Sequence, residues 1–270
     1  MNSSASRVPL IVEPDPDDPG CAMVLVDGTV AGHPYRFMLD TGAPRTQIEF
    51  DDFTAELPSH GEDRSAGVFA ASTDDLVTLP DVSVGTVTAA DLEVSRADPT
   101  HIDAQNLLGM DVLGTICCAF DFEADELLLT PSGSLPDGRL LSRSPRGHAF
   151  VEVQWQQVSA RACWDSGAGI TLVDAAFFAD HHDFFTVLGS STGTDATGAR
   201  AETPTYLMTG ATIGEVMFAA HLVAVVDLPQ TAGMPRMDLI LGYPTLSQAN
   251  WVFDFPANRW DLSAVEPPPG

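Results

Sequence analysis

Two aspartates stand in matching settings. The first is Phe37-Met38-Leu39-Asp40-Thr41-Gly42-Ala43-Pro44-Arg45-Thr46-Gln47-Ile48, and the second is Ala162-Cys163-Trp164-Asp165-Ser166-Gly167-Ala168-Gly169-Ile170-Thr171-Leu172-Val173. Both fit D-[T/S]-G-A-x-x-T-x-[I/V], 125 residues apart. In each, an apolar strand presents the Asp at its end. Gly42 or Gly167 permits a sharp turn and close backbone approach. The hydroxyl of Thr41 or Ser166 can bond backbone and lock that turn. Ala43 and Ala168 leave little bulk, so another chain can come near. One such turn is a rigid display for a single carboxylate. Two can meet across a pseudo-twofold axis, and then the charges interact. Carboxylates about 4 Å apart repel by roughly 4 kcal/mol at an effective dielectric near 20, on the order of three pKa units. Only one ionises readily near neutrality or below, so the pair holds one base and one acid. It titrates with two macroscopic pKa values that belong to the pair.

The elements that must position these turns also repeat. Leu107-Leu108-Gly109 matches Ile240-Leu241-Gly242 at an offset of 133 residues. At that offset Leu113 pairs with Leu246, and Phe120-Asp121-Phe122 with Phe253-Asp254-Phe255. The two blocks come in the same order in each half, as a tandem duplication requires. The join falls in the Pro/Gly/Ser-rich residues 131–138, which read as a linker. Two lobes are expected, at about residues 20–131 and 140–264. With 22 Gly and 20 Pro punctuating short apolar runs, the chain reads as all-β. Strands are expected at residues 23–26, 35–39, 82–87, 127–129, 150–153 and 161–164. Short helices are expected at 110–113 and 174–180. The acidic, Pro-rich residues 13–19 read as a solvated arm, excluded from helix and central strand, and residues 267–270 as a tail.

These two D-[T/S]-G-A motifs, each followed by an apolar-apolar-Gly block, resemble those of the retropepsin-like and pepsin-like aspartic peptidases. The Thr six residues past each Asp brings the motif closer to the retropepsin branch. The resemblance implies the bilobal acid-protease fold, with β-barrel-like lobes and few short helices. It implies that Asp40 and Asp165 hold a water between them, one acting as general base and the other as acid toward the scissile carbonyl. Thr41, Gly42, Ala43, Ser166, Gly167 and Ala168 would support the turns. No metal or other cofactor is expected. Retroviral members carry one half and dimerise; here both halves lie in one chain, so a monomer acting on a peptide or protein substrate is expected. Retroviral members usually place a substrate-holding Asp four residues past the first; here Pro44 and Gly169 stand there. By position the flap is a hairpin within residues 61–79, with Gly67, Val68 and Phe69 near its tip, and a matching hairpin lies within 192–203. No pepsin-like flap Tyr is present. Phe69, Phe177 and Val68 are candidates for an apolar cleft wall. The alternative reading is a catalytically silent domain of this kind that binds peptides.

Other features exclude more than they propose. The net charge is −26, and all 12 basic residues are Arg. Such a charge repels nucleic acid and anionic membranes. The apolar stretch 207–228 is broken by Glu215 and His221 and reads as strands rather than a membrane span. The N-terminus lacks the apolar core of a signal peptide, so a cytoplasmic protein is the expectation. Cys21, Cys117, Cys118 and Cys163 show no C-x-x-C spacing and read as buried small hydrophobes. His181 and His182, on a helix end, lack a third metal partner. No G-x-S-x-G context supports a serine nucleophile. Asp121 and Asp254 read as structural, on the strand face opposite their flanking phenylalanines.

Overall fold

The computed structural model describes residues 5–265 apart from 17, 102–103, 196 and 231–235; the expected tail at 267–270 therefore lies outside the described residues. Strands dominate, gathered into three sheets. The helices described are short: Met110–Leu113, Ala175–Asp180 and Tyr243–Leu246, with 3-10 turns at Thr54–Glu56 and His182–Phe184. None of the described helices is long and apolar enough to cross a membrane.

Among the described residues, an eight-stranded sheet takes its strands from residues 11–108, and a ten-stranded sheet takes its own from 142–241. In each, the strand leading to an aspartate lies beside a short strand from the later block. His33–Leu39 runs parallel to Leu107–Leu108, with Leu39 opposite Leu108. Val158–Trp164 runs parallel to Leu239–Leu241, with Trp164 opposite Leu241. The apolar-apolar-Gly block is thus the neighbour that fixes the height of each aspartate. Leu39, Leu241 and Trp164 are all fully buried, as expected for short strands enclosed on both faces.

The third sheet draws on both ends of the chain. Its order is Ser6–Pro9, Glu126–Thr130, Cys117–Asp121, Ala249–Asp254, Arg259–Ala264 and Arg139–Leu140. Trp164, the residue before Asp165, stacks on its aromatics. The ring lies 4.8 Å from Phe120, 4.6 Å from Phe253 and 5.8 Å from Trp251. Such tilted aromatic contacts add about 0.5–1.5 kcal/mol each beyond area burial, so the second aspartate's strand rests on a rigid base.

Several expectations change in detail. Residues 82–87 are a hairpin end: Ala71–Val84 pairs with Val87–Arg96 around Gly85, whose φ is +57°. Ile11–Pro14 is an edge strand paired with the start of Ala22–Val30, so the acidic arm is solvated only beyond it. Pro14 closes that edge strand, where its missing donor costs no ladder bond. Asp254 is fully buried. It accepts from Ser132 Oγ at 2.8 Å and Gly133 N at 2.6 Å, so it holds the linker in place. Phe177 packs in the core, 5.9 Å from Trp155, and is not available to a cleft. All four cysteines are buried and free. His181 stacks on Phe184 at 5.8 Å, half-buried rather than solvated, while His182 is exposed.

Candidate active site

Each aspartate begins its turn on a backbone bond to the later block. Asp40 N donates to Leu108 O and Asp165 N to Leu241 O, both at 3.1 Å. The Thr six residues on closes the turn from behind. Thr46 Oγ1 accepts from Gly109 N at 3.1 Å, and Thr171 Oγ1 from Gly242 N at 3.0 Å. Glycine is required in both blocks. A Cβ on Gly109 would lie 2.6 Å from the Arg45 carbonyl carbon, and one on Gly242 would lie 2.3 Å from the Ile170 carbonyl oxygen. A side chain at either site would push the aspartate's turn off its support.

Thr41 and Ser166 bind the two turns to each other. Thr41 N donates to Ser166 Oγ at 3.2 Å, and Ser166 N donates to Thr41 Oγ1 at 3.1 Å. Thr41 Oγ1 also donates to Trp164 O at 3.0 Å. Both residues are buried, so these amides and hydroxyls have no solvent to replace a lost partner.

This brings each carboxyl group against the opposite turn. Gly42 N donates across to Asp165 Oδ1 at 3.1 Å, and Gly167 N to the same oxygen at 2.9 Å. Ala43 N donates to Asp40 Oδ1 at 2.8 Å. A Cβ on Gly42 would sit 2.4 Å from Asp165 Oδ2, and one on Gly167 would sit 2.5 Å from Asp40 Cγ. The glycines therefore let each carboxylate approach the opposite turn. Ala168 sits in the same place in its turn as Ala43; its carbonyl accepts from Tyr243 N, as Ala43 O accepts from Met110 N, both at 2.9 Å.

The two carboxyls are unequal. Asp40 is 6% exposed, while Asp165 keeps partial access to solvent. Burial, then the charge of Asp165, pushes the Asp40 carboxyl up against the pull of the Ala43 and Gly42 amides. Burial also raises Asp165. The amides of Gly167 and Gly42 oppose that rise. Burial of both groups therefore favours keeping a proton on the pair.

A hairpin is present within residues 61–79. Gly61–Ala66 pairs with Ala71–Val84, leaving Gly67, Val68 and Phe69 at the tip. The matching hairpin, Phe185–Thr194 with Arg200–Met208, extends further back than residues 192–203. The two tips touch. Asp195 Oδ2 accepts from Phe69 N at 2.7 Å and Ala70 N at 3.1 Å. Val68 and Phe69 pack on an apolar cluster of the second half that includes Leu172, Ala224, Val226 and Leu228. Gly67 lies so close to Asp195 that a Cβ would meet its Oδ2 at 2.2 Å.

Asp195 and His148 were not singled out in the sequence. Asp195 acts on backbone amides, which carry no sequence identity. His148 lies on the turn before Ala149–Trp155 and reaches Gly42 O with Nε2 at 2.9 Å. Its signal would have been a polar residue where the repeat has Met23, 125 residues earlier. Pro44 is exposed, and the Gly169 carbonyl accepts from Ala22 N at 3.3 Å, so both departures occupy turn positions without a side-chain anchor.

No curated protein matches the chain. Residues 26–115, which hold the first aspartate, its hairpin and the Leu108-Gly109 block, match the family model described as gag-polyprotein putative aspartyl protease.

Proposed function

We propose that the protein is an aspartic endopeptidase, monomeric in action, whose two similar lobes each supply one carboxylate of an Asp40–Asp165 dyad. The observation that carries this reading is the approach of each carboxyl to the opposite turn, with the two turns cross-linked by Thr41 and Ser166 and the Gly42 amide donating to Asp165 Oδ1. Asp165, the better solvated and more readily ionised partner, takes a proton from a water held between the two groups. Asp40 gives its proton to the carbonyl oxygen of the scissile peptide bond. The resulting tetrahedral diol collapses as the amide nitrogen takes a proton from Asp165, which releases two peptides and returns one proton to the dyad. The pair needs opposite protonation states at the same pH, and mutual repulsion supplies them. The hairpin tip at Gly67, Val68 and Phe69 acts as a flap that must lift from the second-half cluster to admit an extended peptide.

The test is cleavage of a mixed peptide library from about pH 3 to about pH 7, where the dyad changes charge. Asp40→Asn and Asp165→Asn should each lower turnover by about 10²–10⁴-fold. Cleavage that persists in both variants would exclude the dyad. Absence of cleavage by the unaltered protein across this range would favour the silent peptide-binding reading.

A further inference from the structure

The hydrogen bonds around His148 identify which ring nitrogen carries its proton. Nε2 lies 2.9 Å from Gly42 O, and a carbonyl oxygen only accepts, so Nε2 is the donor. Nδ1 lies 2.9 Å from Ser144 Oγ. That hydroxyl already accepts from Arg146 N and His148 N, both at 3.2 Å. With both lone pairs occupied, Ser144 uses its hydrogen to donate to Nδ1. The ring is thus the Nε2–H tautomer, held from both sides. Ser144 is itself buried and fixed by a tight turn, with its N–H donating to His148 O at 3.0 Å and its carbonyl accepting from Gly147 N at 3.0 Å.

The carbonyl that His148 holds belongs to the peptide unit joining Gly42 and Ala43. The N–H of the same unit donates to Asp40 Oδ1 at 2.8 Å. A peptide is planar, so holding its oxygen fixes the direction of its N–H. Donation to the oxygen also polarises the unit and strengthens the bond its N–H makes. A continuous chain therefore runs from Ser144 through His148 and the Gly42–Ala43 peptide to Asp40 Oδ1. It starts in the second half and ends on the first half's carboxyl. At the equivalent position of the repeat stands Met23, whose sulfur accepts from Gln105 Nε2, so Asp165 has no imidazole of this kind from the first half.

We propose that His148 is a positioning residue for the dyad: by anchoring the Gly42–Ala43 peptide it makes Asp40 Oδ1 an acceptor and leaves Oδ2 to carry the proton. This rests on the peptidase reading for its kinetic consequence but not for its geometry. The two are therefore tested separately. In the unaltered protein, long-range 1H–15N correlation of the imidazole should show the Nε2–H tautomer, and an Nδ1–H ring would overturn the proposal whether or not the protein cleaves peptides. In His148→Leu the Ala43 amide proton should shift upfield as its hydrogen bond weakens. In His148→Gln, whose Nε2 can still donate to Gly42 O, the shift should be largely restored. An unmoved Ala43 amide in folded His148→Leu would also overturn it. With a cleavable peptide, His148→Leu should lose about tenfold or more in kcat with KM changed by less than about threefold, and His148→Gln should recover most of it. A loss confined to KM, or one that Gln does not recover, would reduce His148 to a structural role.

Discussion

The folded protein should bind a proton that the unfolded chain releases, and its stability should record that. In the unfolded chain Asp40 and Asp165 titrate separately near pH 4. In the fold both are raised, with burial the largest cause and mutual charge adding to it at Asp40. A carboxyl raised on folding contributes stability that is complete below its unfolded pKa and is lost as pH rises through its folded pKa. One proton is held in this window, so stability should fall by about 1.4 kcal/mol per pH unit from about pH 4 upward. The Asp40 carboxyl is pushed up to about 8 by burial and by the charge of Asp165, which places the end of the decline near pH 8. Asp40→Asn removes the proton site and the repulsion while keeping an acceptor for the Ala43 amide, bonded at 2.8 Å. The variant should therefore gain on the unaltered protein by about 1.4 kcal/mol per pH unit, reaching about 4 kcal/mol near neutrality. The assay is urea unfolding of both proteins at fixed ionic strength across this range. Taking the difference between them cancels the shared background from a net charge of −26. Parallel stability curves with equal m-values would refute the shared proton, and with it the assignment of acid and base.

Three further outcomes follow from the same geometry. Thr41→Val removes the partner of the Ser166 amide and the donor to Trp164 O, both in a buried site, and should cost about 1–3 kcal/mol in chemical denaturation, with Thr41→Ser close to unaltered. Gly42→Ala places a methyl 2.4 Å from Asp165 Oδ2 and should cost about 1–3 kcal/mol as the turns part, with cleavage falling about 10²-fold; an active Gly42→Ala protein would contradict the close approach of the turns. Asp195→Ala should speed hydrogen exchange at the Phe69 and Ala70 amides about tenfold or more by releasing the hairpin tip. Burial opposes ionisation of Asp195, but bonds from Thr197, Phe69 and Ala70 outweigh it and hold the carboxyl below the usual range. A depressed carboxyl stabilises above its unfolded pKa and ceases to do so as pH falls through its folded value, so this protection should disappear in acid below the ordinary carboxylate range and not at alkaline pH.

What was legible in the sequence is what repeats in side chains. The D-[T/S]-G-A turns, the Thr46 and Thr171 closures and the Leu108-Gly109 and Leu241-Gly242 supports are local patterns written twice, and each copy vouches for the other. Alternation located the strands, but it continued unbroken from Val82 to Val87 across a turn that only the positive φ of Gly85 makes possible. Interactions with backbone were not legible. Asp195 recognises two amides 125 and 126 residues away, and Asp254 holds the linker through Ser132 and Gly133; neither partner announces itself by residue type. The remaining gap has a different cause. A repeat draws attention to what the halves share, whereas an acid and a base must differ. With Thr41 and Ser166 nearly equivalent, the proposed division of labour draws on a difference outside the motifs: His148 reaches the turn of Asp40, while Met23 occupies the corresponding place in the other half. In a duplicated chain, mismatched residues that contact the matched ones are therefore the place to look for division of labour. On the proposed reading, the matched motifs supply two carboxylates, and the residues that differ between the halves decide which one keeps the proton.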